Sequence, residues 1–275
     1  MSFVDEMKDK VLRGEQIERE EALQLWASPL SRLREAADEI RRRMCGDGFD
    51  LCTIVNGKCG RCSEDCKYCA QSAHYQTACE QAYPLLPGEK LLEGARHNAR
   101  QGVLRYSIVT SGKRLSDQEI EQACESIRRI KEETSIEVCV SFGLLGEEEF
   151  RKIREAGASR VHCNLESSAG YFPQICTTHS YEEKIQTLKA AKRAGLSICS
   201  GGILGLGETV EDRIDMALTA RELGVKSFPV NLLNPIPGTP YEKRKPLTNE
   251  EACRCVALFR FLLPDASIRL AGGRG

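Results

Sequence analysis

Cys62, Cys66 and Cys69 stand at C-x3-C-x2-C in the run NGKCGRCSEDCKYCAQS, with an aromatic residue, Tyr68, just before the last of them. Three thiolates from one short loop can ligate three irons of a four-iron, four-sulfur cluster and leave the fourth iron open to a small molecule. Zinc generally takes four protein ligands in a closed site, often as paired C-x2-C knuckles, and no second knuckle of matched spacing follows. Cys59 makes C-x2-C with Cys62, so a zinc-type reading stays open on spacing alone. The setting favours metal chemistry as well. The opening MSFVDEMKDK lacks the basic start and apolar stretch of a secretory signal, and no apolar run approaches the roughly 18 residues of a membrane span, so a cytoplasmic address is expected. Disulfides rarely persist there, and fourteen cysteines in 275 residues then point to metal or redox work.

A second set of chemistry-bearing side chains recurs at period two. Asp50 and Cys52, Arg105 and Ser107, then Glu137, Cys139 and Ser141, then Ser197 and Cys199, and finally Ser267 and Arg269 alternate with mostly apolar neighbours. Alternate residues of a strand share a face. In a parallel sheet wrapped by helices the outer face must be apolar, so the polar row should face a barrel lumen. Each Cys or Ser taken singly reads as ordinary packing; five strands with the same pattern point to a wet or metal-filled interior.

The elements that must position these groups follow from periodicity and punctuation. Strands are expected near 49–55, 104–110, 136–141, 159–164, 196–201, 226–231 and 266–270. Helices are expected near 88–101, 116–133, 147–156, 180–194, 209–223 and 249–262, with capping-box spacing at Ser116/Glu119 and Thr209/Asp212. Three further helices, near 3–13, 18–26 and 30–44, precede them, the third opened by Pro29 or Ser31 and closed by Gly46. The fold class is α/β: a (β/α) TIM-type barrel at 47–275 under an N-terminal helical cap at 1–46, treated as one domain. Seven strands are visible where a closed barrel has eight, so the eighth is missing or lies beyond the chain end. With 39 basic against 40 acidic side chains the net charge is −1, which argues against a nucleic-acid or membrane-surface binder.

A cysteine triad after the first strand of such a barrel is the signature of radical S-adenosylmethionine (SAM) enzymes, and the ordered motifs RYSIVTSG, VCVSFG, HCNLESS, ICTTHSYEEK, ICSGGILGLGET, VNLLNPIPGTP and IRLAGGR are similar to those of the biotin synthase family. That resemblance implies conversion of dethiobiotin to biotin by radical sulfur insertion, in an oxygen-sensitive enzyme working anaerobically. Cys62, Cys66 and Cys69 would hold the SAM cluster. Tyr68 and the segment Gly201, Ile203, Gly205 and Glu208 would meet the adenine, Glu166 the ribose, and Lys184, where the family often has arginine, the SAM carboxylate. Taken alone, the glycine segment also reads as a tight strand-to-helix turn. Asn164 and Asn231 match asparagines that contact dethiobiotin, and Lys58 matches a lysine near the substrate. A flavodoxin- or ferredoxin-type reductant and a homodimer are family habits.

The family also carries an auxiliary, sulfur-donating cluster held by cysteines on the second, third and fifth strands and an arginine near the seventh. Cys139, Cys199 and Arg269 match three of these, but the second-strand position is Ser107, a poor iron ligand. Counting back from Cys62 places Cys52 on strand one with lumen parity. The expectation is therefore a ligand swap in which Cys52, Cys139 and Cys199 hold a four-iron auxiliary cluster beside Arg269, one iron being left to carry an exchangeable sulfide. Cys45, Cys59 and Cys176 are weaker candidates, Cys79, Cys124, Cys253 and Cys255 read as loop or helix residues, and parity turns Cys163 into the packing. The resemblance further implies an eighth strand, its helix and part of a substrate lid beyond IRLAGGR. Two other readings remain: a radical SAM enzyme without sulfur insertion, and a non-catalytic, truncated iron–sulfur protein.

Overall fold

In a computed structural model, which describes residues 2–78 and 82–271, eight strands make one sheet. They are β1 (Cys52–Lys58), β2 (Arg105–Thr110), β3 (Glu137–Ser141), β4 (Ala158–His162), β5 (Ser197–Cys199), β6 (Gly202–Leu204), β7 (Ser227–Leu232) and β8 (Ser267–Leu270). Every pairing is parallel. The order runs β1-β2-β3-β4-β5-β7, and β7 pairs with both β6 and β8. Among the described residues no ladder joins β1 to β8, so the curled sheet is a half-barrel.

The strand expected over 196–201 is divided. β5 stops at Cys199 and β6 begins at Gly202, together making one stave of seven. The reason is a close approach: a Cβ on Gly201 would lie 1.9 Å from the carbonyl oxygen of Pro229 on β7. Only glycine lets the chain pass there, and the ladder breaks as it does so.

Helices α4 (Gly88–Arg100), α5 (Asp117–Glu133), α6 (Glu147–Glu155), α7 (Tyr181–Arg193), α8 (Val210–Glu222) and α9 (Asn249–Leu262) cover the sheet. Their starts obey the side-chain logic of the sequence. Ser116 Oγ accepts from the Glu119 amide at 3.3 Å while Glu119 accepts from the Ser116 amide at 2.9 Å, and Thr209 with Asp212 repeats the exchange at 3.2 and 2.8 Å. Such a cap is worth about 1 kcal/mol. Beneath the helices Ile108, Val138, Val140, Ile198 and Phe228 are buried against Ile127, Phe150, Leu188 and Phe259. The apolar face thus points outward, as a helix-covered parallel sheet requires.

The three leading helices, α1 (Phe3–Leu12), α2 (Arg19–Trp26) and α3 (Leu30–Cys45), pack on the same end of the molecule, α3 on α9 and α2 on α8 and α9. Leu25, Leu33 and Ile40 of this group are fully buried in the core that the barrel helices share. Pro29 precedes α3, and Gly46, at φ 67°, ends it. The open seam of the sheet is spanned by charge. Asp50, just before β1, has its Oδ2 3.2 Å from Arg269 of β8, 3.4 Å from Arg105 of β2 and 3.8 Å from Arg160 of β4. Cys79 and the last letters of IRLAGGR lie outside the described residues. Among the described residues no helix is long and apolar enough to cross a membrane.

Candidate functional site

The cysteine loop leaves the C-terminal end of β1, the end at which barrels of this kind assemble their chemistry. It folds back on itself: the Cys62 amide donates to the Gln71 carbonyl at 2.9 Å, the Ala73 amide to the Cys62 carbonyl at 2.8 Å, and the Cys69 amide to the Cys66 carbonyl at 2.9 Å. The three thiols are half-buried. Contact with Cys176, then burial, pushes the Cys66 thiol far up, and burial raises Cys69. A metal bound here must displace those protons. Cys59, the partner of a zinc knuckle, is buried and bridges backbone to backbone with Tyr83.

A second loop clamps the first. Asp65 Oδ1 accepts from the amides of Thr177 at 2.8 Å and Thr178 at 3.2 Å. Glu64 Oε2 accepts from Thr178 Oγ1 at 2.8 Å and meets His179 Nδ1 at 2.6 Å, while the Lys67 amide donates to the Ile175 carbonyl at 3.0 Å. Burial opposes charge on Asp65, yet hydrogen bonds from Thr177, Cys176 and Thr178 outweigh it and hold the carboxyl well below its ordinary value. This clamp is what the ICTTHSYEEK segment does locally, and reading the motif as a string did not disclose it. Among the described residues, Cys66, Cys176 and His179 are the one His/Cys/Asp/Glu group whose donor atoms all lie within 4.8 Å of each other.

Glu166 follows β4 in the left-handed region, at φ 71°, a strained conformation for a non-glycine residue. Its backbone is pinned on both sides: its amide donates to the Gly201 carbonyl at 3.1 Å and its carbonyl accepts from the Ile203 amide at 3.0 Å. The side chain is buried within hydrogen-bonding reach of Tyr68, and Oε2 has no hydrogen-bond partner among the described residues. Burial raises its pKa, and burial with the nearby Glu166 charge raises that of Tyr68. Lys184 of α7 donates to the Asn164 carbonyl at 3.0 Å and lies 5.6 Å from the Phe172 ring centroid. Burial works against its charge, but Cys163, Glu166, Cys66 and Cys176 around it hold its pKa above the ordinary value. Tyr68, Glu166, Lys184, Gly201 and Ile203 are therefore brought together beside the cysteine loop. Glu208 stands differently: its Oε1 accepts from the Gly205 amide at 2.9 Å and from Arg213 Nε at 2.8 Å, fastening the glycine segment to α8. Gly205 itself turns the chain at φ 94°.

Deeper in the barrel a cavity of about 580 Å³ collects Cys52, Ser107, His162, Asn164, Cys199, Asn231 and Arg269 on its walls. Asn164 Oδ1 accepts from the Gly201 amide and Asn231 Nδ2 donates to the Gly202 carbonyl, each at 3.3 Å. Cys52 Sγ is 3.5 Å from Ser107 Oγ, which in turn is 3.0 Å from His162 Nε2. Cys199 Sγ and Arg269 Nη2 each lie 3.1 Å from Ser227 Oγ. Cys139 does not line the cavity: it is fully buried opposite Ser107, within hydrogen-bonding reach of Ser107 and Arg105, and burial pushes its thiol up to about 11. Burial and then Arg160, Arg269 and Arg105 bring His162 down to about 4, so its imidazole is neutral near pH 7.

Not every expected residue joins this wall. Lys58 lies outside the cavity, its Nζ 2.6 Å from Glu119 Oε1. Glu137, Ser197 and Ser267 occupy the first positions of their strands, below the cavity. Cys45 sits at the end of α3 against Arg260, and Cys163 packs in the apolar core. His162 was not assigned a role from sequence. The available signal was its spacing, at the end of β4, two residues before Asn164 and four before Glu166.

Comparisons with known proteins now bear on this geometry. Residues 58–220 match the radical SAM superfamily, and residues 229–275 match the biotin and thiamin synthesis associated domain. The chain is 56% identical over 274 residues to biotin synthase 2 of Corynebacterium diphtheriae, covering 100% of this chain and 83% of that protein. It is 54% identical over 274 residues to the biotin synthase of Akkermansia muciniphila, covering 100% and 85%. Among solved structures, a methylornithine synthase superposes with TM-score 0.84 at 21% identity, over 97% of this chain and 80% of that one. A maturase of the FeFe-hydrogenase superposes with TM-score 0.83 at 18% identity, over 98% and 63%. At those identities the structures share the fold alone.

Proposed function

The chain belongs to the biotin synthase family of radical SAM enzymes, and on that premise we propose how its residues divide the insertion of sulfur into dethiobiotin. Cys62, Cys66 and Cys69 hold the SAM cluster: three half-buried thiols from one loop, with no fourth cysteine in the C-x3-C-x2-C unit, fit a cluster whose last iron is open. With SAM bound, that centre supplies a radical able to take hydrogen from carbons too inert for acid–base chemistry.

The protein's part is placement. Glu166 Oε2, buried and without a partner among the described residues, is suited to accept from the ribose hydroxyls. Tyr68 and the backbone of Gly201, Ile203 and Gly205 frame the adenine, and Glu208 holds that frame through Gly205 and Arg213. Lys184 sets a positive charge toward the SAM carboxylate, without the forked contact an arginine would make. Asn164 and Asn231, at the cavity's strand ends, can each donate and accept, as a ureido ring demands. Lys58 would reach substrate only on leaving Glu119.

Cys52, Cys139 and Cys199 beside Arg269 hold the auxiliary cluster that yields the sulfur. Three thiolates suit four irons, one of them without a cysteine. A flavodoxin- or ferredoxin-type donor supplies the electron, and a cytoplasmic homodimer completes the reading.

The observation that carries this division of labour is the cavity in which Cys52, Cys199, both asparagines and Arg269 share the walls, with Cys139 buried next to its Ser107. Its size falls in the range of about 300–1,000 Å³ typical of small-molecule sites. The test is an anaerobic assay of reconstituted protein with SAM, reductant and dethiobiotin, following 5′-deoxyadenosine and biotin together by mass spectrometry. Both products are expected. Deoxyadenosine without biotin would sink the auxiliary assignment, and the absence of both would sink the assignment of the SAM site.

A further inference from the structure

We infer that Cys66, Cys176 and His179 form a second metal site, one that holds a single zinc-type ion in the chain before its SAM cluster is built. The site stands on geometry of its own; that its ion and the cluster exclude each other rests on the reading of Cys66 as a cluster ligand. Two sulfurs and a ring nitrogen here lie within 4.8 Å of one another, the one such group among the described residues. Cys176 Sγ is 3.3 Å from His179 Nδ1. The bond lengths of tetrahedral zinc set such a pair about 3.5 Å apart, so the donors need little movement to close on an ion. The cysteine loop itself is arranged differently. Cys62 and Cys69 form no such group with Cys66, and thiols spread that widely suit a cluster of several irons rather than one ion.

The surroundings fit a bound ion. Cys176 is buried, the His179 side chain is 7% exposed, and the Phe172 ring lies against the imidazole at 5.5 Å between centroids. Phe172, Ile175, Leu206 and Tyr241 pack with Cys176 and Cys66 in one apolar cluster, and a shell of that kind limits the access of water to a bound metal. Carboxylates stand just outside the donors: Cys176 Sγ donates to Asp65 Oδ1 at 3.1 Å, and Glu64 Oε2 is 2.6 Å from His179 Nδ1. Zinc binds thiolate and neutral imidazole, so an ion replaces the protons of those two contacts and of Cys66, and they pass to water. Glu64 keeps the hydroxyls of Ser63 and Thr178 as donors and stays beside the ion, whose fourth position falls to water. Two thiolates balance a divalent charge, and sulfur with nitrogen selects zinc over magnesium or calcium. Spacing offered Cys59 and Cys62 to zinc; the fold gives that chemistry to Cys66 and a distant loop. Cys66 serves one metal at a time, so the ion must leave before the SAM cluster is complete.

The test uses the full chain purified anaerobically without iron, stripped with a chelator, kept reduced by a phosphine and titrated with Co(II), then Zn(II). One cobalt per chain is expected, with the charge-transfer band of two thiolates, and Zn(II) should displace it. Cys176→Ser should halve that band and weaken binding by at least the roughly 10- to 100-fold that loss of an outer-shell partner costs. His179→Cys should keep the ion and add a third sulfur to the band, which separates loss of a ligand from failure to fold. Cys62→Ala and Cys69→Ala should bind as wild type does. Binding lost in either of those, binding at full strength in Cys176→Ser, or no stoichiometric ion at all would overturn the site. Zinc-loaded protein is then given iron and sulfide, and should build no cluster that responds to SAM in electron paramagnetic resonance until the zinc is chelated. Immediate assembly, where Cys66→Ala assembles nothing, would place the ion elsewhere and overturn the proposal. If the ion binds as expected but Cys66→Ala still builds a SAM-responsive cluster, the reading of Cys66 as a cluster ligand fails, the exclusion falls with it, and the zinc site stands.

Discussion

A carboxylate in the left-handed region, buried and with one oxygen lacking a partner, is an arrangement that stability alone does not favour. Glu166 is such a residue, and an acceptor waiting for a hydroxyl pair is the economical account of it. Glu166→Gln preserves the shape and removes the charge. A hydrogen bond to a charged group is worth about 1.5–3 kcal/mol, so SAM should bind roughly 10- to 100-fold more weakly to the cluster-loaded variant in equilibrium dialysis, with iron content unchanged. Equal affinity would reduce Glu166 to a backbone role. Cys52 is tested by the same logic of single atoms: Cys52→Ala removes one of the three cysteines proposed to hold the auxiliary cluster, and reconstituted protein should fall from about eight irons per chain to about four. Unchanged iron would defeat the ligand swap. The shared loop of Cys62, Cys66 and Cys69 and the cavity-facing position of Cys52 were legible because their signals are local, a spacing or a strand parity. His162 and the Asp65 clamp were not, because each gains its meaning from a partner far along the chain, Ser107 for the one and Thr177–Thr178 for the other.

At the level of elements, caps and strands were readable where the code is short-range. Ser116 with Glu119 and Thr209 with Asp212 announce helix starts within four residues, and the starts stand where the spacing put them. The break between β5 and β6 was hidden, since the glycine pair that permits it reads equally as a turn; its cause is Pro229, on another strand. The loop–loop clamp over the cysteines is an element-scale device with a pH signature. Asp65 has a folded-state pKa below its ordinary 3.8. It therefore binds protons less readily folded than unfolded, and its contribution is complete above about 4 and lost as pH falls through the folded value. Asp65→Asn should destabilise the apo chain at pH 7 in urea unfolding, and the difference from wild type should shrink as pH is lowered toward 3. A gap that stays constant with pH would mean that shape, not charge, holds the two loops together.

For the whole molecule the question is what closes a half-barrel. Strand alternation in the sequence predicts the parallel sheet and its seven staves, but not how the seam between the first and last is held, because four residues distant in sequence do it. Asp50 gathers Arg105, Arg160 and Arg269 at the mouth of the gap between β1 and β8. The arginine side chains are 22%, 12% and 24% exposed, so solvent screens them only in part. Removing the shared carboxylate would leave three like charges facing one another around the lumen. The cost should fall below the roughly 3–5 kcal/mol of a fully buried pair that loses one partner, and about 1–3 kcal/mol is expected for Asp50→Asn. The same change should act locally. β8 would then keep its ladder to β7, the Arg269–Ser227 contact and the packing of Ile268 but lose its tie across the seam, so the amides of Ser267–Leu270 should exchange with deuterium faster in the variant, while those of β3, paired on both sides, should not. Raising the salt concentration should mimic the variant in wild type, since the pairs are partly exposed. If exchange rises evenly across the sheet, or not at all, the seam owes its closure to helix packing around the barrel, and the Asp50 cluster serves only to set charge beside Cys199 and Arg269.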